Sequence, residues 1–181
     1  MRFRTLGVVF AIVLGLTASA GAQEPKKGEL AIGYSLLHDN DLSTDFPTGW
    51  VASLGGKFND WFGVVLEAGG NYKSITNGSA DVSVRVHSVL FGPRFSATSR
   101  STVAPFVQLL VGAVKGSLDL VAPNVSLSVS GTNFATQGGA GLDLNFSPGF
   151  GLRIEGDIRT IRANGSNHGQ GRFATALVFR P

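Results

Sequence analysis

Three histidines, His38, His87 and His168, are the candidate general bases of this sequence, with serines and acids nearby. Hydrolysis of a lipid or ester would need one of them within hydrogen-bond reach of a nucleophile. His87 and Ser88 are adjacent, and neighbours on a strand point to opposite faces, so they cannot pair directly. His38 and His168 lie among Asp, Ser and Asn, where a solvated loop histidine is the expected state. Asp39, Asn40, Asp41 and Asp45 concentrate the oxygen ligands that hard cations take. Their spacing lacks the glycine and terminal Glu of an EF-hand loop, so a solvated acidic loop is preferred over a calcium site. The sequence contains no cysteine, which removes disulfides, thiolate metal sites and thiol catalysis. The sequence assigns no catalytic, cofactor or metal site.

The other chemistry-bearing groups are charges at a spacing of two. From Phe150 to Ile161, Phe150, Leu152, Ile154 and Ile158 share one strand face, while Arg153, Glu155, Asp157 and Arg159 share the other. A soluble sandwich would turn the apolar face inward, whereas a membrane barrel turns it to lipid and keeps the polar face in the lumen.

Arg2 and Arg4 precede an apolar run from Leu6 to Leu16, followed by small residues at Ala18, Ala20 and Ala22. This is the pattern of a secretory signal peptide, expected over residues 1–22 with cleavage after Ala22. A short linker, 23–28, and a barrel domain, 29–181, follow. Cleavage lowers the basic count from 15 to 13 against 12 acidic residues, a net charge of about +1. Apart from Lys26 and Lys27 no basic cluster remains, so nucleic acid is not expected as a partner. Beyond residue 22 no apolar stretch is long enough for a membrane helix, and a closed barrel is the remaining way to cross a bilayer.

A period of two recurs in eight segments: Glu29 to Leu37, Trp50 to Phe58, Phe62 to Tyr72, one beginning at Val82, Thr102 to Lys115, Phe134 to Phe146, Phe150 to Ile161 and Gly171 to Arg180. In the fourth, Val82, Val84 and Val86 are expected to face outward and Arg85 and His87 inward, with a bulge or kink at Gly92-Pro93. In the fifth, Val107, Leu109, Val111 and Ala113 are placed outside and Gln108 inside. Short turns at Asn59-Asp60, 97–101 and 147–149 alternate with longer connections at 38–48, 73–81, 118–131 and 163–169. This is the periplasmic-turn and extracellular-loop asymmetry of outer-membrane barrels. Asn77-Gly78 and Asn164-Gly165 are tight-turn pairs.

The expected lumen face carries Lys57, Glu67, Arg85, Asp143, Arg153, Glu155, Asp157 and Arg159 among small residues, four charges of each sign. An eight-stranded barrel is only just wide enough for side chains, so these must pair. On the apolar face Trp50, Phe62, Tyr72, Phe134, Phe146, Phe150, Phe173 and Phe179 fall near strand ends, where interfacial girdles belong. The expected fold is therefore all-β, an eight-stranded antiparallel up-and-down transmembrane barrel.

Gly92 to Phe95 (Gly-Pro-Arg-Phe), Ala104 to Val107 leading to Val111-Gly112, Gly138 to Asp143 and the closing Phe173 to Phe179 make this chain resemble the small OmpA/OmpX-type outer-membrane β-barrel family. The resemblance spans Gly28 onward. It implies a bacterial outer-membrane location, contact with outer-membrane lipid and lipopolysaccharide, and delivery by the barrel-insertion machinery. Phe173, Leu177 and Phe179 match the insertion signal, although members commonly stop at the aromatic residue and this chain adds Arg180 and Pro181. No peptidoglycan-binding domain is expected after the barrel, and a monomer without cofactors is expected.

A fold does not name an activity. The favoured reading is a structural or surface-interaction barrel; the alternatives are a lipid-modifying hydrolase or acyltransferase and a narrow pore. In the third loop Leu118 and Leu120 precede Pro123-Asn124, and Val125, Leu127 and Val129 alternate with serines. This predicts a hairpin projecting beyond the membrane, its apolar stripe either packed over the mouth or available to a surface partner.

Overall fold

Alternating side chains can satisfy lipid on one face and a packed lumen on the other only if every strand finds two neighbours, because hydrocarbon offers no water to an unpaired edge. The computed structural model describes residues 28–41, 43–77, 80–97, 102–123, 125–163 and 165–181, so the expected signal peptide and residues 23–27 of the linker lie outside the described residues. The strands are β1 (Gly28–Asp39), β2 (Thr44–Phe46), β3 (Thr48–Lys57), β4 (Phe62–Asn77), β5 (Ala80–Ser96), β6 (Val103–Ala122), β7 (Val125–Ser147), β8 (Phe150–Ala163) and β9 (Ser166–Phe179). All pairings are antiparallel, and apart from β1 with β3 and β1 with β9 they join sequence neighbours. Pairing of β1 with β9, from Leu30↔Phe179 to Asp39↔Gln170, closes the sheet into an eight-stranded barrel. The extra strand, β2, lies in the first loop on β1, with Leu37 opposite Phe46. No helix among the described residues is long and apolar enough to cross a membrane, and the crossing is made by strands.

The outward faces are apolar, as expected. Ile32, Leu66, Phe91, Val107, Leu109, Val111, Leu142, Ile158 and Leu177 are all exposed. At the short-turn end Phe58, Trp61, Phe62 and Phe95 form a contiguous aromatic patch with ring separations of 5.3 to 6.0 Å, and Phe146 lies 6.2 Å from Phe150. At the opposite end the Trp50 indole donates to the Tyr72 hydroxyl at 3.1 Å.

Two expectations about the fourth barrel strand, β5, are corrected. Val84 and Val86 face the lumen and pack into its apolar core, whereas Arg85 faces outward with its side chain 51% exposed. There is also no bulge at Gly92-Pro93. The register is the same on both sides, Phe91↔Val111 and Arg94↔Gln108, and pairing to β6 lapses only opposite Gly92 and Pro93, where proline has no N–H to donate. Toward this end of the strand the outer face carries Arg85 and His87, paired with Asp119 and Tyr72, and the inner face meets an apolar plug. That exchange inverts the polarity pattern within one strand.

The long connections differ from expectation as well. Most of their residues belong to strands, because the ladders continue past the membrane: β4 pairs with β5 as far as Asn77↔Ala80, and β6 with β7 as far as Ala122↔Val125. The asymmetry between the two ends is thus an overhang of paired strands. Gly165 has a φ of 82°, the left-handed conformation that a tight Asn-Gly turn requires; Asn164 lies outside the described residues, as do Gly78, Asn124 and residues 98–101 of the short turn.

Candidate functional site

Lumen-facing positions of β1, β4, β5, β7, β8 and β9, with Arg180 just beyond β9, bring together five basic and five acidic side chains, each buried: Arg94, Arg153, Arg159, Arg172, Arg180, Glu29, Glu67, Asp143, Glu155 and Asp157. Glu29 sits at the short-turn end, 2.6 Å from Nη1 of Arg94 and 2.8 Å from Nη2 of Arg153. Arg153 donates to both oxygens of Asp143, from Nε to Oδ1 at 2.7 Å and from Nη2 to Oδ2 at 2.8 Å. Arg94 and Arg153 both lie over the Phe106 ring, 4.6 and 4.8 Å from its centroid, so the phenyl face stabilises two stacked cations. Gln108 relays the network by accepting from Arg94 and donating to Glu155 at 2.9 Å.

The central node is Arg172, which reaches Glu67 at 2.8 Å and Glu155 and Asp157 at 2.7 Å. Above it, Arg159 donates to Gln137 at 2.9 Å and to Ser88 at 3.3 Å, and Gln137 donates to Glu67. Small residues make the room: a Cβ added at Gly139 would collide with Oδ1 of Asp157.

Of the eight charges the sequence placed in the lumen, Glu67, Asp143, Arg153, Glu155, Asp157 and Arg159 are in this network. Lys57 is on the lumen face but half-buried at the rim. Arg85 is outside it and pairs with Asp119 at 3.0 Å on the outer face. Four members were missed. Glu29, Arg172 and Arg180 follow from strand parity alone, and Arg94 was hidden by the misread register at Gly92-Pro93. Arg180, beyond the terminal aromatic residue, holds Asp143 at 2.8 Å and Asn145 at 2.8 Å, while its backbone N–H donates to Gly149. It seals the short-turn end of the network.

Toward the extracellular end the lumen becomes apolar. Leu37, Phe46, Val65, Val86, Leu90, Leu110, Val114, Ala135 and Ile161 form one buried cluster, with Phe46 inserted from the first loop. Beside the charges, a void bounded by Ser53, Glu67, Arg153 and Glu155 holds about 10 Å³, too little for a hydrated ion.

Among the described residues none of the histidines is hydrogen-bonded to a serine or threonine hydroxyl. His87 faces outward and hydrogen-bonds the Tyr72 hydroxyl at 3.1 Å, while Ser88 faces inward. His38 pairs with Asp45 at 2.6 Å and His168 with Asp41 at 2.9 Å, clasping the first loop to β1 and β9. The acids of that loop are therefore divided among separate partners. Among the described residues no group of three His, Cys, Asp or Glu side chains surrounds a common point.

The third loop is a projecting hairpin of β6 and β7, in register at Leu118↔Val129 and Leu120↔Leu127. Leu118, Leu127 and Val129 lie on the face continuous with the lumen yet are 40%, 51% and 56% exposed; the Val125 side chain is outside the described residues. Pairing of β7 with β8 starts only at Phe134↔Arg162, so the outer edge of β7 from Val125 to Asn133 has no partner strand among the described residues.

Solved structures with this architecture include Ail, the attachment invasion locus protein of Yersinia pestis, 21% identical over 86% of this chain and all of that one, with a TM-score of 0.63. Ail has also been solved with the heparin analogue sucrose octasulfate. Neisserial surface protein A is 13% identical over 85% of this chain and 96% of its own, with a TM-score of 0.64. The N-terminal β-barrel domain of Pseudomonas aeruginosa OprF is 12% identical over 83% and 97%, with a TM-score of 0.50. A search of curated proteins finds no match. The outer membrane protein beta-barrel domain model matches residues 8–178. With its lipid-facing apolar belt, closed antiparallel sheet and paired lumen charges, the chain belongs to that family of bacterial outer-membrane barrels.

Proposed function

We propose that this protein is a non-catalytic outer-membrane barrel that makes contacts at the cell surface through the β6–β7 hairpin. The observation that carries this reading is the unpartnered edge of β7 from Val125 to Asn133. An exposed strand edge presents unpaired N–H and C=O groups and accepts an extended segment of a partner as an added strand. Exposed Leu127 and Val129 supply apolar contacts beside it. The names of Ail and of Neisserial surface protein A, an attachment protein and a surface protein, agree with a role outside the cell.

The test is to delete Leu120 to Ser128, close the gap with an Asn-Gly turn, and measure adhesion of cells carrying the protein to surfaces coated with extended peptides and, for comparison, with heparin. The deletion is expected to preserve insertion and abolish adhesion, while His38→Ala, His87→Ala and His168→Ala leave adhesion intact. Loss of a lipid-modifying activity in one of the histidine variants, with the deletion harmless, would make the enzyme the better reading. That outcome would require chemistry at His38, His87 or His168 despite their pairing with Asp45, Tyr72 and Asp41.

A further inference from the structure

Above the apolar plug the barrel mouth opens into a basin of about 450 Å³, a volume typical of small-molecule sites. Its floor is Phe46, Val86 and Ile161, all buried. The wall from β5 to β7 presents the apolar side chains of Val84, Val114, Leu118 and Val129, with Asn133 at its β7 margin. The facing wall, from β1, the first loop and β9, is polar and presents Asp39, Asp41, His168 and Gln170.

Hydrogen-bond acceptors dominate that polar wall. Gln170 donates its Nε2 to Oδ2 of Asp39 at 3.0 Å, which fixes which end of the amide is oxygen. Its Oε1, on a residue only 3% exposed, has no donor among the described residues. Asp39 and Asp41 add two carboxylates, Asp41 with its side chain 48% exposed beside His168. A carboxylate accepts at about four lone-pair sites, so the bond to His168, the one Asp41 side-chain contact among the described residues, leaves Asp41 with capacity to spare. An anionic ligand would meet two like charges here, and a purely apolar one would leave the amide oxygen unpaired.

We propose that the mouth basin binds a small amphipathic cation, a short-chain primary alkylammonium. Its ammonium offers three donors and no acceptor, the complement of this wall. Its N–H groups donate to Asp39, Asp41 and Gln170, and its chain covers Leu118 and Val129, which otherwise expose apolar surface to water. This inference rests on the barrel and its mouth and is independent of whether the β7 edge binds a partner.

The experiment is an amide NMR titration of the full barrel in lipid nanodiscs with hexylammonium, hexanoate and hexanol at neutral pH. Hexylammonium is expected to give saturable shifts at Asp39, Asp41, Leu118, Val129, His168 and Gln170, with hexanol about tenfold weaker and hexanoate not saturating. Asp41→Asn is expected to weaken hexylammonium about tenfold without changing hexanol, and Leu118→Ser with Val129→Ser to weaken both. Unchanged heat-modified migration in a detergent gel verifies that each variant folds. Linear shifts that report only partition into the bilayer, equal binding of hexanoate, or an Asp41→Asn variant that binds hexylammonium normally would each overturn the proposal. The Leu120 to Ser128 deletion keeps every basin residue and is expected to bind hexylammonium as the parent does. Loss of binding there would move the contact to the hairpin and also overturn it.

Discussion

Glu67 on β4 and Arg172 on β9 meet across the lumen, with Oε1 2.8 Å from Nη1 and Oε2 3.0 Å from Nη2, both side chains at most 2% exposed. Two intervening strands, β1 and β3, separate them around the barrel wall, so the pair spans the lumen interior. Glu67 also accepts from Gln137 on β7, which makes it the point where the β4 wall is tied to the charged wall of β7 to β9.

Removing Glu67 leaves five buried cations against four anions. Glu67→Ala is expected to destabilise the barrel by about 3–5 kcal/mol, the cost of breaking a buried pair. Outward Thr136→Ala should cost no more than about 0.5 kcal/mol. Urea unfolding in lipid vesicles, followed by tryptophan fluorescence, measures both. Equal and small effects would mean that the inward face is solvated.

Arg85 and Arg172 separate the two sides of the barrel wall. Arg85 pairs with Asp119 half in solvent, so Arg85→Ala is expected to cost at most about 1 kcal/mol. Arg172→Ala strands Glu67, Glu155 and Asp157 together and is expected to cost about 3–5 kcal/mol. Comparable losses in the two variants would return Arg85 to the lumen.

Arg180→Ala removes charge-assisted hydrogen bonds to Asp143 and Asn145 at the short-turn end. A loss of about 1.5–3 kcal/mol is expected, seen as a lower temperature for the heat-modified shift on a detergent gel. An unchanged midpoint would make this residue an idle extension of the terminal strand.

Gly139 and Gly156 face opposite sides of the wall. Gly139→Ala drives a Cβ into Asp157 and is expected to lower stability and disturb the network, whereas Gly156→Ala enters open space on the lipid side and should leave stability unchanged. The same unfolding measurement distinguishes them, and tolerance of Gly139→Ala would show a looser lumen than this one.

The lumen is filled by paired charges below and by Phe46, Leu90, Leu110 and Val114 above. Planar-bilayer recordings of the purified barrel are therefore expected to show no steady conductance. A stable open current at neutral pH would revive the narrow pore.

Alternation by itself determined the barrel, the lipid-facing set and six of the charges in the lumen, because a strand's period of two needs no tertiary information to sort its faces. Three further members, Glu29, Arg172 and Arg180, obey the same parity and were legible in it. The orientation of β5 was not legible. Val84 and Val86 look like lipid-facing residues until the depth of the strand is known, and depth is a property of the assembled barrel. Sequence also names charges without naming partners: Arg172 finds Glu67 only because closure of β1 onto β9 brings remote strands around one axis. The same closure decided that the projecting ladder of β6 and β7 outruns β8 and leaves an edge, since strand lengths matter only against a neighbour's. It also decided that Asp39, Asp41 and Gln170 face Leu118 and Val129 across one mouth, a juxtaposition that exists only where the sheet meets itself.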